Sequence, residues 1–413
     1  MKGIKGLSLS PFIGRRFNWA AWWASCCDTW HTEYVDYHVE VLNLTINERT
    51  NVDYKYTEDW IIEAQRNNFA VAIKDGYLWY SEDNSLSFIR GVVTPATVKS
   101  AFIFNTGTAL FATQNKIYRS ADKLQSYTEK TVNDLAGNPI NITNPGQYYR
   151  TFCPNNPVII DGIEHFMFGN YTNLIVNSEV NIYHTYDDGQ IITMIYQFGV
   201  NANYSGYGDP LNPIGCRHVH AVDYNRNINK WLIQTGDSGA TPPYNDECHW
   251  IEVKWNGGLD YSFDYIKTGD ENSYFKVCGF YWDDDNYAYW ASDSSIHFGI
   301  IGVDYDDIGD IGEYNQTVAF SQQLSGIIME NDGEGIAGVF SFNTAPIELK
   351  ITKDFWAHST LIDGTQLDLL AATDNIYKYW PKNSDGYFLA KVHFGSDFGG
   401  GGASEKTLLI KIK

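Results

Sequence analysis

The sequence predicts an all-β protein, a seven-bladed β-propeller preceded by an N-terminal arm that is rich in aromatic residues. Three observations support this prediction. The composition combines 29 tyrosines and 36 glycines with only 19% charged residues. A unit of short alternating strands and polar turns recurs along the chain. The length of 413 residues exceeds that of a typical single domain and leaves room for a repeat array and a terminal segment.

The composition and the charge narrow the class of protein and of partner. Aromatic residues make up 15% of the chain, a profile of many short strands joined by tight turns that excludes a coiled coil or a helical bundle. The formal net charge is −21 at pH 7, which repels a phosphate backbone and leaves no basic face. We therefore expect no nucleic-acid partner.

Seven copies of the repeated unit can be located. They lie at 69–90, 109–130, 168–198, 220–253, 277–305, 326–351 and 367–392. The equivalent points are taken as Ser81, Ser120, Thr185, Thr235, Ser292, Ser341 and Tyr379. Their mean spacing is about 50 residues, which matches the ~40–50 residues of a four-stranded blade. We therefore assign 1–50 to the arm and 51–413 to the propeller.

Closure of the ring requires a strand from one terminus to complete a blade that the other terminus begins. Stacked blades bury the two apolar faces that a single blade would expose, so an open ring would leave such faces in water. Residues 407–412 alternate suitably for a closing strand, and so do residues 37–44. Either segment could be the closing strand.

Turns of the form Ser/Thr-x-Asp follow several of the strands. Clear copies begin at Ser81, Ser120 and Thr185, and a looser one begins at Ser292. They resemble the Asp-box of sialidase-like, BNR-repeat propellers, although no copy has the full Ser-x-Asp-x-Gly-x-Thr-Trp pattern. The Asp side chain of such a turn accepts backbone N–H bonds and holds a hairpin closed, which is a structural role. The resemblance implies the fold and says little about function.

The most specific local stretch is RHVHAVDY at 217–224, followed by NKWLIQTGD at 229–237. It resembles an H-x-H-x-V-x-Y motif that recurs in BNR-like propellers and in some polysaccharide-active ones. Alternation along a strand places His218, His220 and Tyr224 on one face, and an innermost strand would aim them at the central channel. We predict a ligand site that contains His218, His220, Tyr224 and Trp231.

Three roles for this stretch stay open. The two histidines could pack a blade as a hydrogen-bonded pair. They could contact a saccharide or, with Arg217 and Tyr224 as weak candidates, supply acid and base groups. They could also bind a metal with His165 or Cys216 as a third ligand, although we assign no metal site.

The distribution of arginine bears on the kind of enzyme. All nine arginines lie at or before Arg226, so the last 187 residues contain none. A sialidase needs three arginines that converge on a carboxylate from blades around the ring, so the resemblance does not favour that activity. A polysaccharide lyase needs only a neutralising group, a base and an acid, for which Arg217 or Arg150, a histidine and a tyrosine would serve.

Two acidic clusters, at 283–285 and 304–310, could hold Ca²⁺ through carboxylate and carbonyl oxygens. Neither matches a twelve-residue EF-hand loop, and a solvated acidic turn is the expected structure. We expect no cofactor, with Ca²⁺ as the open alternative.

The arm carries a dense aromatic patch that includes Trp19, Trp22, Trp23 and Trp30. An exposed patch of this kind favours association, so we predict an interface with a partner or with another copy of the chain. An arm that docks on its own propeller is the alternative.

The chain has no signal-peptide pattern and no run of ~18 apolar residues, so we expect synthesis in a host cytoplasm and no membrane span. The opening segment GLSLSPFIGRR at 6–16 resembles leader segments of tail-associated proteins from phages and prophages of gut bacteria. This resemblance implies a virion-associated protein that binds a host cell-surface polysaccharide, with the arm attached to other virion proteins or to a second copy. The alternatives are a polysaccharide-cleaving lyase or glycosidase and a protein-binding scaffold.

Overall fold

The computed structural model describes most of the chain beyond residue 37. The described residues are 38–42, 44, 46–57, 60–142, 157–170, 180–198, 216, 218–236, 248–269, 274, 276–294, 296–310, 313–321, 323–339, 348–367, 369, 375–394 and 404–413. Their strands form seven sheets, which confirms the predicted seven-bladed β-propeller. The chain divides into two compact units, Met1–Val39 and Glu40–Lys413. Most of the predicted arm, residues 1–37, lies outside the described residues.

The strands follow in chain order, four to a blade. Three precede the first blade: β1 (Val39–Val41), β2 (Asn47–Glu48) and β3 (Val52–Thr57). Blade 1 contains β4 (Ile61–Arg66), β5 (Phe69–Lys74), β6 (Tyr77–Ser81) and β7 (Ser87–Val93). Blade 2 contains β8 (Ser100–Ile103), β9 (Ala109–Ala112), β10 (Ile117–Ser120) and β11 (Thr128–Lys130). A hairpin of β12 (Val132–Asn133) and β13 (Pro139–Ile140) leads to blade 3, whose outer edge it extends.

The remaining blades repeat the same antiparallel order. Blade 3 contains β14 (Val158–Ile160), β15 (Ile163–Gly169), β16 (Asn181–Tyr186) and β17 (Ile191–Gln197). Blade 4 contains β18 (His218–Asn225), β19 (Lys230–Gly236), β20 (Cys248–Gly257) and β21 (Asp260–Gly269). Blade 5 contains β22 (Val277–Trp282), β23 (Tyr287–Ser292), β24 (Gly299–Asp304) and β25 (Asn315–Ala319). Blade 6 contains β26 (Leu324–Met329), β27 (Gly335–Val339), β28 (Glu348–Thr352) and β29 (Thr360–Asp363), and blade 7 contains β30 (Asn375–Trp380), β31 (Phe388–Phe394), β32 (Ser404–Ile412) and β3.

The first strands of the blades surround the central channel. β18 contacts β22, β22 contacts β26, β26 contacts β30, and β30 contacts β4. Because successive strands of a blade are antiparallel, the turns from first to second strand and from third to fourth strand lie on one face of the ring. We call this the hairpin face. The other face carries the turns from second to third strand and the connections between blades.

An N-terminal strand, β3, closes the ring. It pairs with β32 over its whole length, from Val52 opposite Ile412 to Thr57 opposite Thr407. Residues 407–412 therefore take part in closure, as one of the two predicted segments. The other prediction, closure by 37–44, is wrong, because β1 extends the outer edge of blade 1 instead. The strand that closes the ring has the buried side chains that blade 7 needs, since Val52 and Tyr54 are fully buried in its core.

Aromatic side chains fill the spaces between blades. Phe102 of blade 2 stacks on Phe166 of blade 3 with ring centroids 3.8 Å apart. Trp250 of blade 4 meets Trp290 of blade 5 edge to face at 5.0 Å. Such pairs contribute ~0.5–1.5 kcal/mol beyond the burial of their area, so the aromatic content of the sequence stabilises contacts between blades.

Ser/Thr-x-Asp turns close the hairpins between the third and fourth strands of blades 1, 2 and 6. In the first, Ser81 Oγ donates to Asp83 Oδ1 at 2.8 Å, and Ser87 N donates to the same oxygen at 2.9 Å. The same pattern recurs at 120–126 and at 352–358, with N–H to carboxylate distances of 3.0 and 2.9 Å. The copy at Thr352 was not predicted. In the predicted copy at Thr185, Asp187 Oδ1 accepts from the backbone N–H groups of Gln190 and Ile191 at 3.1 and 3.2 Å.

The equivalent points chosen from the sequence do not all share one position in the blade. Ser81, Ser120 and Thr185 lie at the third strand, whereas Ser292 ends β23, the second strand of blade 5. The predicted equivalence is therefore wrong in the later blades, where Thr235 lies on a second strand and Tyr379 on a first strand. The physical reason is that strand order depends on pairing, while each strand by itself presents the same alternation.

Candidate functional site

The channel opens on the hairpin face in a cavity of about 490 Å³, which we call the channel mouth. Its aromatic and amide side chains are Tyr224, Tyr281, Trp282, Asn67, Asn227 and Asn331. Its charged side chains are Arg66, Arg226, Lys382, Asp223, Asp283, Asp284, Glu330 and Asp332. Residues from blades 1, 3, 4, 5, 6 and 7 therefore meet around one opening.

The mouth is built from the ends of first strands and the turns that follow them. Arg66 ends β4, Trp282 ends β22 and Met329 ends β26. Inside the ring these strands are tightly packed, while the turns that follow them are polar because their backbone leaves the sheet at the surface. The turns after the first strands therefore place polar side chains from several blades around one rim.

Hydrogen bonds between neighbouring turns hold this rim together. The bonds are Asn67 Nδ2 to Asn105 Oδ1 at 3.1 Å, Asn225 Nδ2 to Asn286 Oδ1 at 2.7 Å, and Tyr281 Oη to Asn331 Oδ1 at 3.2 Å. They join blades 1 to 2, 4 to 5 and 5 to 6. A rim fixed in this way loses little conformational entropy when a ligand binds.

The three cations of the mouth differ in their surroundings. Arg66 forms an ion pair with Glu164 of blade 3 at 2.6 Å. Lys382 is paired with both Asp332 and Glu334. Arg226 is exposed, and among the described residues it makes no hydrogen bond or ion pair. Arg226 can therefore contact a ligand without breaking an ion pair among the described residues.

Two donors at the mouth are buried without a partner. Arg66 Nη1 and Trp282 Nε1 have no hydrogen-bond acceptor among the described residues. Trp282 is only 9% exposed, so solvent does little to compensate its indole N–H. A buried donor without a partner costs ~1–3 kcal/mol, and a ligand oxygen that accepts from it recovers part of that cost.

Two carboxylates of the mouth are held as hydrogen-bond acceptors. Glu330 Oε1 accepts from the backbone N–H of Lys382 at 2.7 Å, and burial raises the pKa of the Glu330 carboxyl. Asp283 Oδ1 accepts from the backbone N–H groups of Asp285 and Tyr287 at 3.0 and 2.8 Å. Burial also raises the pKa of Asp283.

The predicted motif lies on β18, the first strand of blade 4, as expected for residues near the channel. His220 is 1% exposed, and its Nδ1 donates to the carbonyl oxygen of Val277 in blade 5 at 2.7 Å. Its side chain therefore lies between blades 4 and 5 and does not line the channel mouth. A β-bulge between Val219 and Ala221 interrupts the alternation on which the prediction relied.

The other predicted residues separate as well. Tyr224 lines the mouth and donates to Asn229 Oδ1 at 3.2 Å. Trp231 is fully buried between blades 3 and 4, with its ring 4.6 Å from that of Tyr224. Arg217 and the side chain of His218 lie outside the described residues. The predicted roles in ligand binding of His218, His220, Tyr224 and Trp231 stay predictions. The same holds for a catalytic role of Arg217.

A histidine chain that the sequence did not indicate lies between blades 3 and 4. His165 Nδ1 is 3.1 Å from His184 Nε2, and His184 Nδ1 is 2.7 Å from Tyr261 Oη. Burial lowers the pKa of His165 to about 4 and that of His184 to about 3, with the neighbouring His165 adding to the latter effect. Because His165 is engaged here and His220 one interface away, the two do not share a metal.

The two acidic clusters predicted as possible Ca²⁺ sites lie in turns. Residues 283–285 form the turn after β22 at the channel mouth, and 305–307 form a short 3₁₀ turn after β24. Among the described residues, no group of three or more His, Cys, Asp or Glu side chains is arranged to hold a metal ion.

None of the helical segments described here is long and apolar enough to cross a membrane. Trp19, Trp22, Trp23 and Trp30 lie outside the described residues.

No family model and no curated protein matches the sequence. Among solved structures, the chain is similar to one of YCF48 bound to a D1 peptide, with 11% identity over 92% of this chain and 97% of that chain, and a TM-score of 0.48. An oligogalacturonate lyase from Vibrio parahaemolyticus has 10% identity over 90% and 98%, with a TM-score of 0.48. A GH74 enzyme from Niastella koreensis has 11% identity over 84% and 54%, with a TM-score of 0.45. Likeness at this level carries no argument about a ligand or a reaction.

Proposed function

We propose that this propeller is a glycan-binding protein and that the channel mouth on the hairpin face is its binding site. The observation that carries the proposal is a polar cavity lined by Arg66 and Trp282, two residues whose buried donors Nη1 and Nε1 have no partner among the described residues. A saccharide offers hydroxyl oxygens that accept from such donors and hydroxyl hydrogens that carboxylates and amides accept.

The rest of the mouth supports the same ligand class. Tyr281 and Trp282 line the cavity, where their rings can pack against the apolar C–H groups of a sugar. Asn227 and Arg226 are exposed beside them and can hydrogen-bond hydroxyl groups. The asparagine bonds between turns keep these groups in place before a ligand arrives, which favours binding.

Binding is a better proposal for this cavity than cleavage by the predicted histidines. That cleavage requires a histidine and a second acid or base group at one site. Of the predicted catalytic residues whose side chains are described, Tyr224 lines the mouth, whereas His220 bonds to a backbone carbonyl between two blades. No described histidine lines the mouth beside Tyr224.

The setting that we propose is a phage virion or tail, in which the propeller binds a host cell-surface polysaccharide. The support comes from the sequence: the segment at 6–16 and the tryptophans of the arm. In this proposal residues 1–50 attach the propeller to other virion proteins or to a second copy. A protein-binding scaffold is the competing outcome.

The proposal is tested with a panel of bacterial surface polysaccharides, the full chain and two arginine variants. We expect Arg226→Ala to weaken binding at least fivefold, because it removes an exposed donor at the mouth. Arg90→Ala removes an exposed arginine from the outer strand β7 and serves as the matched control, with binding unchanged within twofold. A panel without any binder, or equal effects of both variants, would contradict the proposal.

A further inference from the structure

The channel mouth carries more negative than positive charge. Five carboxylates line it, those of Asp223, Asp283, Asp284, Glu330 and Asp332, against the three cations Arg66, Arg226 and Lys382. Two of these cations are already matched, since Arg66 is paired with Glu164 and Lys382 with Asp332 and Glu334. Arg226 is the one described cation of the mouth without such a partner. The chain as a whole adds to this field with a net charge of −21.

A field of this sign discriminates between ligands before any contact is made. A concave opening lined by one sign of charge concentrates its potential and lowers the local concentration of ligands with the same sign. With Asp332 paired to Lys382, a single exposed Arg226 does not offset the other four carboxylates of the mouth. Uronate and sialate chains, which carry one negative charge per acidic residue, are therefore repelled from the mouth.

The hydrogen-bonding groups match an uncharged sugar. An ionised carboxylate is an acceptor only, so the exposed side chain of Asp284 can bond only to a donor group of the ligand. Hydroxyl groups supply those donors, and their oxygens can accept from the exposed side chains of Arg226 and Asn227. In an acidic sugar, a carboxylate takes the place of a hydroxyl-bearing group. That carboxylate cannot donate a hydrogen bond, and its negative charge faces the negative carboxylates of the mouth.

We infer that the ligand of the channel mouth is an uncharged saccharide, and that the carboxylates of the mouth exclude acidic glycans. This inference rests on the proposed glycan-binding function and adds the ligand class to it. Asp284 is its clearest specificity-determining residue, because its side chain is exposed and makes no hydrogen bond or ion pair among the described residues.

The test compares size-matched neutral and uronate polysaccharides, among them glucan, galactan and mannan against polygalacturonate and alginate. At about 20 mM salt, we expect the best neutral chain to bind the full protein at least tenfold more tightly than any uronate. In about 0.5 M salt the repulsion is screened, since the Debye length falls to about 4 Å, and the ratio should shrink. Asp284→Asn should raise uronate affinity two- to threefold at low salt.

The control is Asp260→Asn, which removes one exposed carboxylate at the start of the outer strand β21 and should leave the ratio unchanged. Uronate binding that equals or exceeds neutral binding at low salt overturns the inference and leaves the proposed function standing. Equal effects of Asp284→Asn and Asp260→Asn also overturn it. Binding of neither series overturns both the inference and the proposed function.

Discussion

Glu63 in the first blade and Lys378 in the last form a buried ion pair, with Glu63 Oε2 2.9 Å from Lys378 Nζ. The other oxygen of the same carboxylate lies 2.7 Å from Lys391 Nζ, also in the last blade. The side chains of Glu63 and Lys378 are only 4% and 6% exposed. The two ends of the ring are therefore joined by charge at the channel side as well as by the pairing of β3 with β32.

Replacement of Glu63 by Gln should destabilise the propeller strongly. The change leaves Lys378 and Lys391 buried with less compensating charge, and loss of one partner from a buried ion pair costs ~3–5 kcal/mol. Urea unfolding measures the difference. Glu129→Gln is the control, because the pair of Glu129 with Lys116 is about half exposed and screened by solvent, so its loss should change stability little. A change below ~1 kcal/mol for Glu63→Gln would show that this pair does not secure closure.

Two N-terminal deletions separate the arm from the closing strand. A chain that lacks residues 1–37 retains β3, so we expect a folded propeller with weaker self-association or particle assembly. A chain that lacks residues 1–57 loses β3, whose Val52 side chain alone contributes ~1.5–3 kcal/mol when fully buried. Thermal melting and size-exclusion chromatography distinguish the two. Equal melting temperatures for both deletions would contradict closure by β3.

The buried histidine pair should make the protein lose stability in mild acid. The pKa of His165 is about 4 in the folded state against about 6.5 when unfolded, so the unfolded chain binds more protons below pH 6.5. Stability is complete above pH 6.5 and falls towards pH 4, with ~3 kcal/mol at stake for His165 alone. Melting curves between pH 7 and 5 measure the slope. The double variant His165→Gln, His184→Gln should flatten it, and an unchanged slope would assign the acid sensitivity to other groups.

Replacement of Asp83 by Ala should open the first Ser/Thr-x-Asp turn. Asp83 accepts hydrogen bonds from Ser81 Oγ and from Ser87 N and Oγ, and bonds to a charged acceptor contribute ~1.5–3 kcal/mol. We expect a loss in that range by urea unfolding. Glu82→Ala, at the adjacent and exposed position, removes only a surface ion pair with Lys123 and should cost less than ~1 kcal/mol. Similar losses for both variants would mean that the turn depends on its backbone and not on the Asp side chain.

Local pattern was enough to predict the fold class and the number of blades. Each predicted repeat falls within a separate sheet, because alternation, turn residues and aromatic spacing are properties of neighbouring residues. The same local pattern also predicted the turns at Ser81 and Ser120 and placed Tyr224 on a first strand.

Tertiary structure alone decided how these pieces are joined and which side chains meet. The pairing of Thr57 with Thr407 spans 350 residues, and the bulge at Val219 that turns His220 between blades depends on the strand paired with it. Arg66, Arg226 and Trp282 come from three blades, and their spacing along the chain does not predict that they line the same cavity. The reason is physical: alternation is set by the backbone of one strand, while register, ring closure and the channel mouth are set by packing between strands that are distant in sequence.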